Sequence, residues 1–174
     1  GNGTISSTPT AAGSLSTNLN IINTSTTGSA IRFIESSFNT VKLCDLQGQN
    51  TTSGALPGSQ AGVVFFGPAT TNGNDFNTIR QCNIHSTTAA AWPTIGIYSY
   101  GPSASLVITS AFSESDSIIN SNIYDFHSNT LSCAGIELDK GNNAWSITGN
   151  SIFQTATRIP TTAALTFKGI YCAP

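Results

Sequence analysis

Short apolar stretches separated by Ser, Thr, Asn and Gly run the length of this chain, and none has a helical period. Their order repeats instead. Phe38-Asn-Thr-Val-Lys-Leu-Cys-Asp-Leu46 returns as Phe76-Asn-Thr-Ile-Arg-Gln-Cys-Asn-Ile84. Looser versions follow at Ser115-Asp-Ser-Ile-Ile-Asn-Ser-Asn-Ile123 and Ala144-Trp-Ser-Ile-Thr-Gly-Asn-Ser-Ile152. Their first aliphatic residues, Val41, Ile79, Ile118 and Ile147, are 38, 39 and 29 residues apart. A second phrase travels with the first: Ser29-Ala-Ile-Arg-Phe33, Ala61-Gly-Val-Val-Phe65, Ile95-Gly-Ile-Tyr-Ser99, Ala134-Gly-Ile-Glu-Leu138 and Lys168-Gly-Ile-Tyr-Cys172. Ile31, Val63, Ile97, Ile136 and Ile170 mark it, with steps of 32, 34, 39 and 34. Two phrases keeping step mean a constant core with loops of changing length.

Alternation within the phrases predicts strands. Ile97 and Ser99 share one face and Tyr98 and Tyr100 the other. Ile136 and Leu138 oppose Glu137 and Asp139 in the same way. Strands stop at Gly67-Pro68, Gly101-Pro102 and Lys140-Gly141, where Pro cannot donate to a ladder and Gly permits a sharp turn. Residues 1–18 read as a lead-in segment or partial coil. Residues 19–174 read as four to five coils, beginning with the strand Leu19–Ile22. The loops Gln47–Gln60, His85–Thr94, Phe126–Ser132 and Phe153–Thr166 leave at one point of the repeat and should gather on one side. Pro102–Ser113 is a further insertion, in which Leu106-Val-Ile108 could form an extra strand. Little or no helix is expected.

One coil cannot bury its own apolar face, but coils stacked at ~4.8 Å share a continuous core. Ser146-Ile-Thr-Gly-Asn-Ser-Ile152 places an aliphatic residue, two spacers, Asn, one spacer and an aliphatic residue in a row, and resembles the coil motif of the right-handed parallel β-helix. The fold class implied is all-β, a right-handed parallel β-helix solenoid. The rival, a β-sandwich, explains the alternation but not two phrases in step. In the β-helix family the Asn sits in a sharp turn and stacks on its counterpart in the next coil. Here that column reads Cys44, Cys82, Ser121, Asn150, so Cys replaces Asn twice. Stacked Cα atoms ~4.8 Å apart would admit a disulfide between Cys44 and Cys82, but side-chain directions in parallel neighbours are not ideal for one, and two buried reduced thiols are the expected alternative.

Composition narrows the setting. Only 8% of residues are charged, against a usual ~25%, and the net charge is −2. No basic footprint exists for nucleic acid, and no apolar run would insert in a membrane. A chain rich in Ser, Thr and Asn with little charge is expected at the cell surface or outside the cell, and its composition resembles that of large secreted bacterial surface adhesins. A sequence starting at Gly1 with no Met and stopping just after a core strand is expected to be a fragment. Its partners are then continuing coils of the same parent chain, or a covering chain at the open edge.

Chemistry-bearing residues are sparse. Glu137 and Asp139 are the only close acids on one face, and glycosidases need two flanking carboxylates. The hydrolase motifs of β-helix enzymes are absent, and of the basic and acidic residues that the resemblance implies for lyases, Lys42 and Arg80 stack in one column with only the neighbouring Asp45 beside them. The outward column of the Gly-aliphatic strands reads Arg32, Val64, Tyr98, Glu137, Tyr171, with Ile34, Phe66, Tyr100 and Asp139 beside it. Tyr98, Tyr100, Glu137 and Tyr171 are candidate contacts for surface glycans, unless loops pack over them. His85 and His127 lack the Cys or His neighbours of a zinc site, and no cofactor is expected. Glycosylation candidates are Asn2, Asn23 and Asn50, in Asn-x-Ser/Thr triplets, and Ser117, in Asp116-Ser117-Ile118. The expected function is a structural or adhesive module without catalysis of its own. Scaffold coils of a polysaccharide lyase or glycoside hydrolase, or a phage tail fibre or spike, are the alternatives.

Overall fold

Each repeat winds once around a common axis and contributes three short strands. The computed structural model describes residues 4–6, 19–54, 60–101, 109–159, 161 and 164–173. The first coil supplies β1 (Thr4–Ser6), β2 (Leu19–Asn23) and β3 (Ile31–Phe33). The second supplies β4 (Thr40–Lys42), β5 (Cys44–Gly48) and β6 (Val64–Phe66), and the third β7 (Thr78–Arg80), β8 (Asn83–Ser86) and β9 (Ile95–Ser99). A 3-10 turn at Thr109–Ala111 and the short β10 (Ser113–Glu114) lead into β11 (Ser117–Ile119), β12 (Asn122–Tyr124) and β13 (Cys133–Leu138). The last coil is β14 (Asn142–Asn143), β15 (Ser146–Thr148), β16 (Ser151–Phe153) and β17 (Phe167–Cys172). The candidate strand Leu106–Ile108 lies outside the described residues.

Equivalent strands stack into three five-stranded sheets. These are β1-β4-β7-β11-β15, β2-β5-β8-β12-β16 and β3-β6-β9-β13-β17, every pairing parallel, with β10 and β14 as a two-stranded extra. The fold is the right-handed parallel β-helix. Its register brings like onto like. Val41, Ile79, Ile118 and Ile147 form one inward column. Leu46, Ile84, Ile123 and Ile152 form the second, and Val64, Ile97, Ile136 and Ile170 the third. In the middle coils these side chains are fully buried, whereas Ile147 and Ile152 are half-buried and Ile170 is 50% exposed.

The third column corrects the sequence alignment by one residue. Val64, not Val63, lies level with Ile31 and Ile97, so Phe65 replaces Val64 in the outward column and Phe66 turns into the core. The cause is a bulge. Ala30 and Ile31 both donate to the Val63 carbonyl, and the Val63 amide reaches both Ile95 and Gly96. Gly62, at φ 81, supplies the left-handed backbone that admits the extra residue. Phe66 then stacks on Phe33 at 4.5 Å and meets Trp145 edge-on at 4.9 Å.

The corner between the first and second sheets also differs from expectation in detail. The left-handed residues are Leu43, Gln81, Asn120 and Gly149, at φ 49 to 65, one position before the column Cys44, Cys82, Ser121, Asn150. That column is still a ladder. Cys82 N donates to Ser121 Oγ at 3.2 Å, and Ser121 N to Asn150 Oδ1 at 2.8 Å. Cys44 and Cys82 are free thiols, their Sγ atoms donating to the carbonyls of Lys42 at 3.1 Å and Arg80 at 3.3 Å. A small weak donor is enough there, because the carbonyl it satisfies lies only two residues back along its own chain.

A second ladder, at the corner entering the first sheet, was not foreseen. Asn39 N and Nδ2 both donate to Asn77 Oδ1, and Asn77 N and Nδ2 both donate to Asp116 Oδ1 at 2.7 and 3.1 Å. Asp116 is fully buried, and its Oδ2 has no partner. In the next coil Trp145 takes the equivalent place, its Nε1 donating to the Ser113 carbonyl at 3.1 Å. Burial pushes the Asp116 carboxyl up to about 8, helped by the nearby Asp75 and against the hydrogen bonds from Asn77.

Two outcomes follow from this stacking. Ile118→Ala, in a filled central layer, should cost about 2–4 kcal/mol by urea unfolding. Ile147→Ala, at a half-buried position in β15, should cost about half as much. The second concerns pH. A carboxyl raised above its unfolded value of about 3.9 binds more protons when folded. The stability it confers is therefore complete below about pH 4 and is lost as pH rises to about 8. Asp116→Asn, which extends the ladder with a neutral group of the same shape, should abolish that decline when unfolding midpoints are compared across the same interval.

Candidate binding pocket

Loops leaving the second sheet of adjacent coils meet on one side of the solenoid. The segment after β12 carries His127, Ser128, Leu131 and, at the start of β13, Cys133. The segment after β16 carries Gln154, Ala156, Thr157, Arg158 and Leu165. Between them, with Phe167 of β17, lies a cavity of about 290 Å³.

Asp125 organises this junction. Its backbone is left-handed, at φ 53, which turns the chain out of β12 and aims the carboxylate at the next coil. Oδ1 accepts from the Thr155 amide at 2.9 Å and from Arg158 Nη2 at 3.2 Å, and Oδ2 accepts from the Thr155 hydroxyl at 2.6 Å. Burial alone would raise the carboxyl, but these hydrogen bonds and the Arg158 charge hold it below the ordinary Asp range. The guanidinium of Arg158 also lies over the Trp92 ring, 4.6 Å from its centroid. Trp92 in turn meets the His127 ring edge-on at 5.2 Å. Four side chains from three coils thus brace one another.

The pocket's polar groups are half-used. Gln154 Nε2 donates to the Phe126 carbonyl at 2.9 Å, leaving Oε1 buried without a partner. His127, 5% exposed, places Nε2 3.0 Å from Asn129 Oδ1, and its Nδ1 is buried and unpaired. Arg158 Nε is likewise buried and unpaired. Buried polar atoms without partners are uncommon in folded proteins, and these three lie packed beside the cavity with no accessible surface of their own. Cys133 also lines the cavity, but burial raises its thiol above the ordinary range, which disfavours the thiolate that a nucleophile requires. The arrangement suits binding rather than covalent chemistry.

The residues singled out from sequence lie elsewhere. Tyr98 is fully buried beneath the loop after β5, its hydroxyl donating to the Gly54 carbonyl and, at 3.3 Å, to Asp139 Oδ2. With Ala61, Phe65, Ile95 and Tyr100 it forms a second apolar cluster on the outer side of the third sheet. Burial and the carboxylates of Asp139 and Glu137 raise the Tyr98 phenol. Burial raises Glu137 as well, with Asp139 adding to this and Lys168 opposing it. Lys168 lies over the Tyr171 ring, 3.3 Å from its centroid. Tyr98, Tyr100, Glu137 and Tyr171 therefore do not form one open face, and Glu137 and Asp139 flank a tyrosine-packed sheet instead of a cleft.

The modification candidates are also placed. Asn23 bonds the Ser29 carbonyl and the Ser25 amide through its side chain. Asn50 is fully buried, donating to the Gln60 carbonyl and accepting from the Thr52 amide. Ser117 sits half-buried in β11, between Thr78 and Ser146. Asn2 lies outside the described residues. Of the pocket residues, His127 stands out in the sequence only as a poor zinc ligand and Cys133 only as a cysteine without an evident partner. Common departure points for the loops were visible, but contacts between loops have no periodic signature.

Thiol accessibility tests the packing around the pocket. Cys44, Cys82 and Cys133 are buried and Cys172 is exposed. A native chain should therefore release colour from Cys172 alone with an aromatic disulfide reagent, and from all four cysteines in denaturant. Rapid native reaction of Cys133 would mean that the pocket wall opens.

Comparison with known protein families, with curated proteins and with solved structures found no match to this chain.

Proposed function

We propose that the chain is a structural, adhesive module of a longer secreted or cell-surface β-solenoid, without catalysis of its own. The observation that carries this reading is the state of the last coil. Three inward columns run in register through the stack and reach β15, β16 and β17 with no apolar layer beyond them among the described residues. Ile170 and Phe167 are each 50% exposed and Phe153 is 42% exposed. An apolar parallel edge of this kind recruits further β-structure. The occupant that fits is another coil of the same kind, because the spacing and registry of the columns already match it. A low-charge surface accords with a mechanical or adhesive role, as do Cys44, Cys82 and Cys133, whose thiols burial pushes above the ordinary range.

The test is association of the isolated chain. Light scattering across a concentration series should show end-to-end oligomers, and Ile170→Lys should suppress them. Detection in the native source within a polypeptide well above 18.0 kDa would support the same reading. A chain that remains monomeric at every concentration, and that occurs at its bare mass in its source, would overturn it.

A further inference from the structure

The open edge of β17 continues an interface that the chain already builds twice, between β9 and β13 and between β13 and β17. From that continuity we infer that the edge is the docking surface for a parallel coil laid in register on β17, and that Gly169 is the residue that selects it. This rests on the reading of the chain as part of a longer solenoid, and it names the geometry that the covering partner must have.

The two internal interfaces share one close contact. The pairs Ala134–Ile95 and Ile136–Ile97 place Gly135 level with Gly96, and the pairs Ala134–Lys168 and Ile136–Ile170 place Gly169 level with Gly135. A Cβ added at Gly96 would lie 2.6 Å from the Gly135 carbonyl oxygen and 2.5 Å from Ile123 Cγ2. A Cβ added at Gly135 would lie 2.8 Å from the Gly169 carbonyl oxygen and 2.6 Å from Ile152 Cγ2. Non-bonded carbons settle at ~3.5–4.0 Å, so neither position admits even a methyl group. Both obstacles come from the following coil: a backbone carbonyl of its third-sheet strand, and a branched aliphatic side chain of its second-sheet strand.

Gly169 stands in the same row under different conditions. Gly96 and Gly135 are buried, whereas Gly169 is exposed and a Cβ there would meet no heavy atom within 4 Å. Its backbone is not left-handed, so the turn of the chain does not call for glycine. Glycine within a strand loosens it and packs nothing. Among the described residues nothing requires it, but a coil seated on β17 as β17 is seated on β13 requires it at once. The occupant is therefore a parallel coil that lays a carbonyl over Gly169 and an aliphatic side chain beside it, along the column that ends at Ile152. A capping helix or a loop would bring side chains to this edge, and an ordinary residue would serve beneath them. The ring stacks accord with a coil. Phe153 on Tyr124, at 5.0 Å, and Phe167 on Phe126, at 4.9 Å, end their stacks as exposed rings. For the isolated chain, the coil on offer is the first coil of a second copy, where Ile5, Leu19 and Ile22 are exposed. Such a head-to-tail contact does not close on itself and builds a filament.

The experiment compares the full chain with Gly169→Val and Gly135→Ala. Urea unfolding, at a concentration where each chain is monomeric, reads the space that each glycine needs. Gly135→Ala should lower the midpoint, and Gly169→Val should leave it unchanged or raise it. Sedimentation velocity over a concentration series then reads the seating of coil on coil. Gly169→Val should weaken association by about tenfold, the effect of forcing a side chain into a closed backbone contact. A wild-type chain that associates, with Gly169→Val associating as strongly, would overturn this inference and leave the solenoid reading standing. So would a midpoint clearly lowered by Gly169→Val, because the chain itself would then need the glycine. A wild-type chain that stays monomeric throughout would overturn it too, and the solenoid reading falls with it only if the chain also occurs at its bare mass in its source.

Discussion

Everything in this molecule depends on like residues lying on like residues along one axis. A single coil has three short strands and no interior of its own. Stacking at the ~4.8 Å interstrand spacing makes each inward aliphatic side chain the floor for the one above it. Val41, Ile79, Ile118 and Ile147 illustrate the logic: the two central members are fully buried and the terminal one is not. Since each layer contacts only its neighbours, cohesion is distributed along the stack, and its ends are the weak places.

Corners impose the second constraint. A chain that turns twice or more per coil must bend where backbone polar groups would otherwise be buried without partners. This solenoid meets the need with two side-chain ladders of different chemistry. Cys44, Cys82, Ser121 and Asn150 use small side chains that reach carbonyls or amides close at hand. Asn39, Asn77 and Asp116 use amides that span successive coils, and the row ends at a carboxyl where the next coil places Trp145. Asp116 closes the row, its Oδ1 accepting from Asn77 while its Oδ2 is buried without a partner.

Between the corners, loops are free to differ, and they divide into two uses. On the outer face of the third sheet Gly54, beyond β5, meets Tyr98, which packs with Phe65 and Tyr100 in a second core. The loops after β12 and β16 instead meet each other and leave a cavity with unpaired polar atoms. The first arrangement closes a surface that would otherwise be an apolar patch. The second leaves open space between loops, with the unpaired polar atoms packed away beside it.

The repeat, the parallel β-helix, the inward aliphatic columns and the Cys-Ser-Asn ladder were legible in the residues themselves, because a periodic fold writes its period into the chain. The one-residue error at Val63 shows the limit of that legibility. A bulge made by Gly62 changes register without changing composition, and Val63, Val64, Phe65 and Phe66 are all apolar, so alternation could not arbitrate. The left-handed positions of that turn were not legible, because Leu43 and Gln81 are not residue types that announce such a backbone. The pocket was hidden altogether. Asp125, His127, Gln154 and Arg158 are ordinary loop residues in sequence, and only the stacking of one coil on the next brings a carboxylate, an imidazole, an amide and a guanidinium together. Sequence by itself determined what repeats, since periodicity is a local and cumulative signal. Tertiary structure alone decided what the unrepeated loops do, since their contacts depend on how far apart the coils hold them.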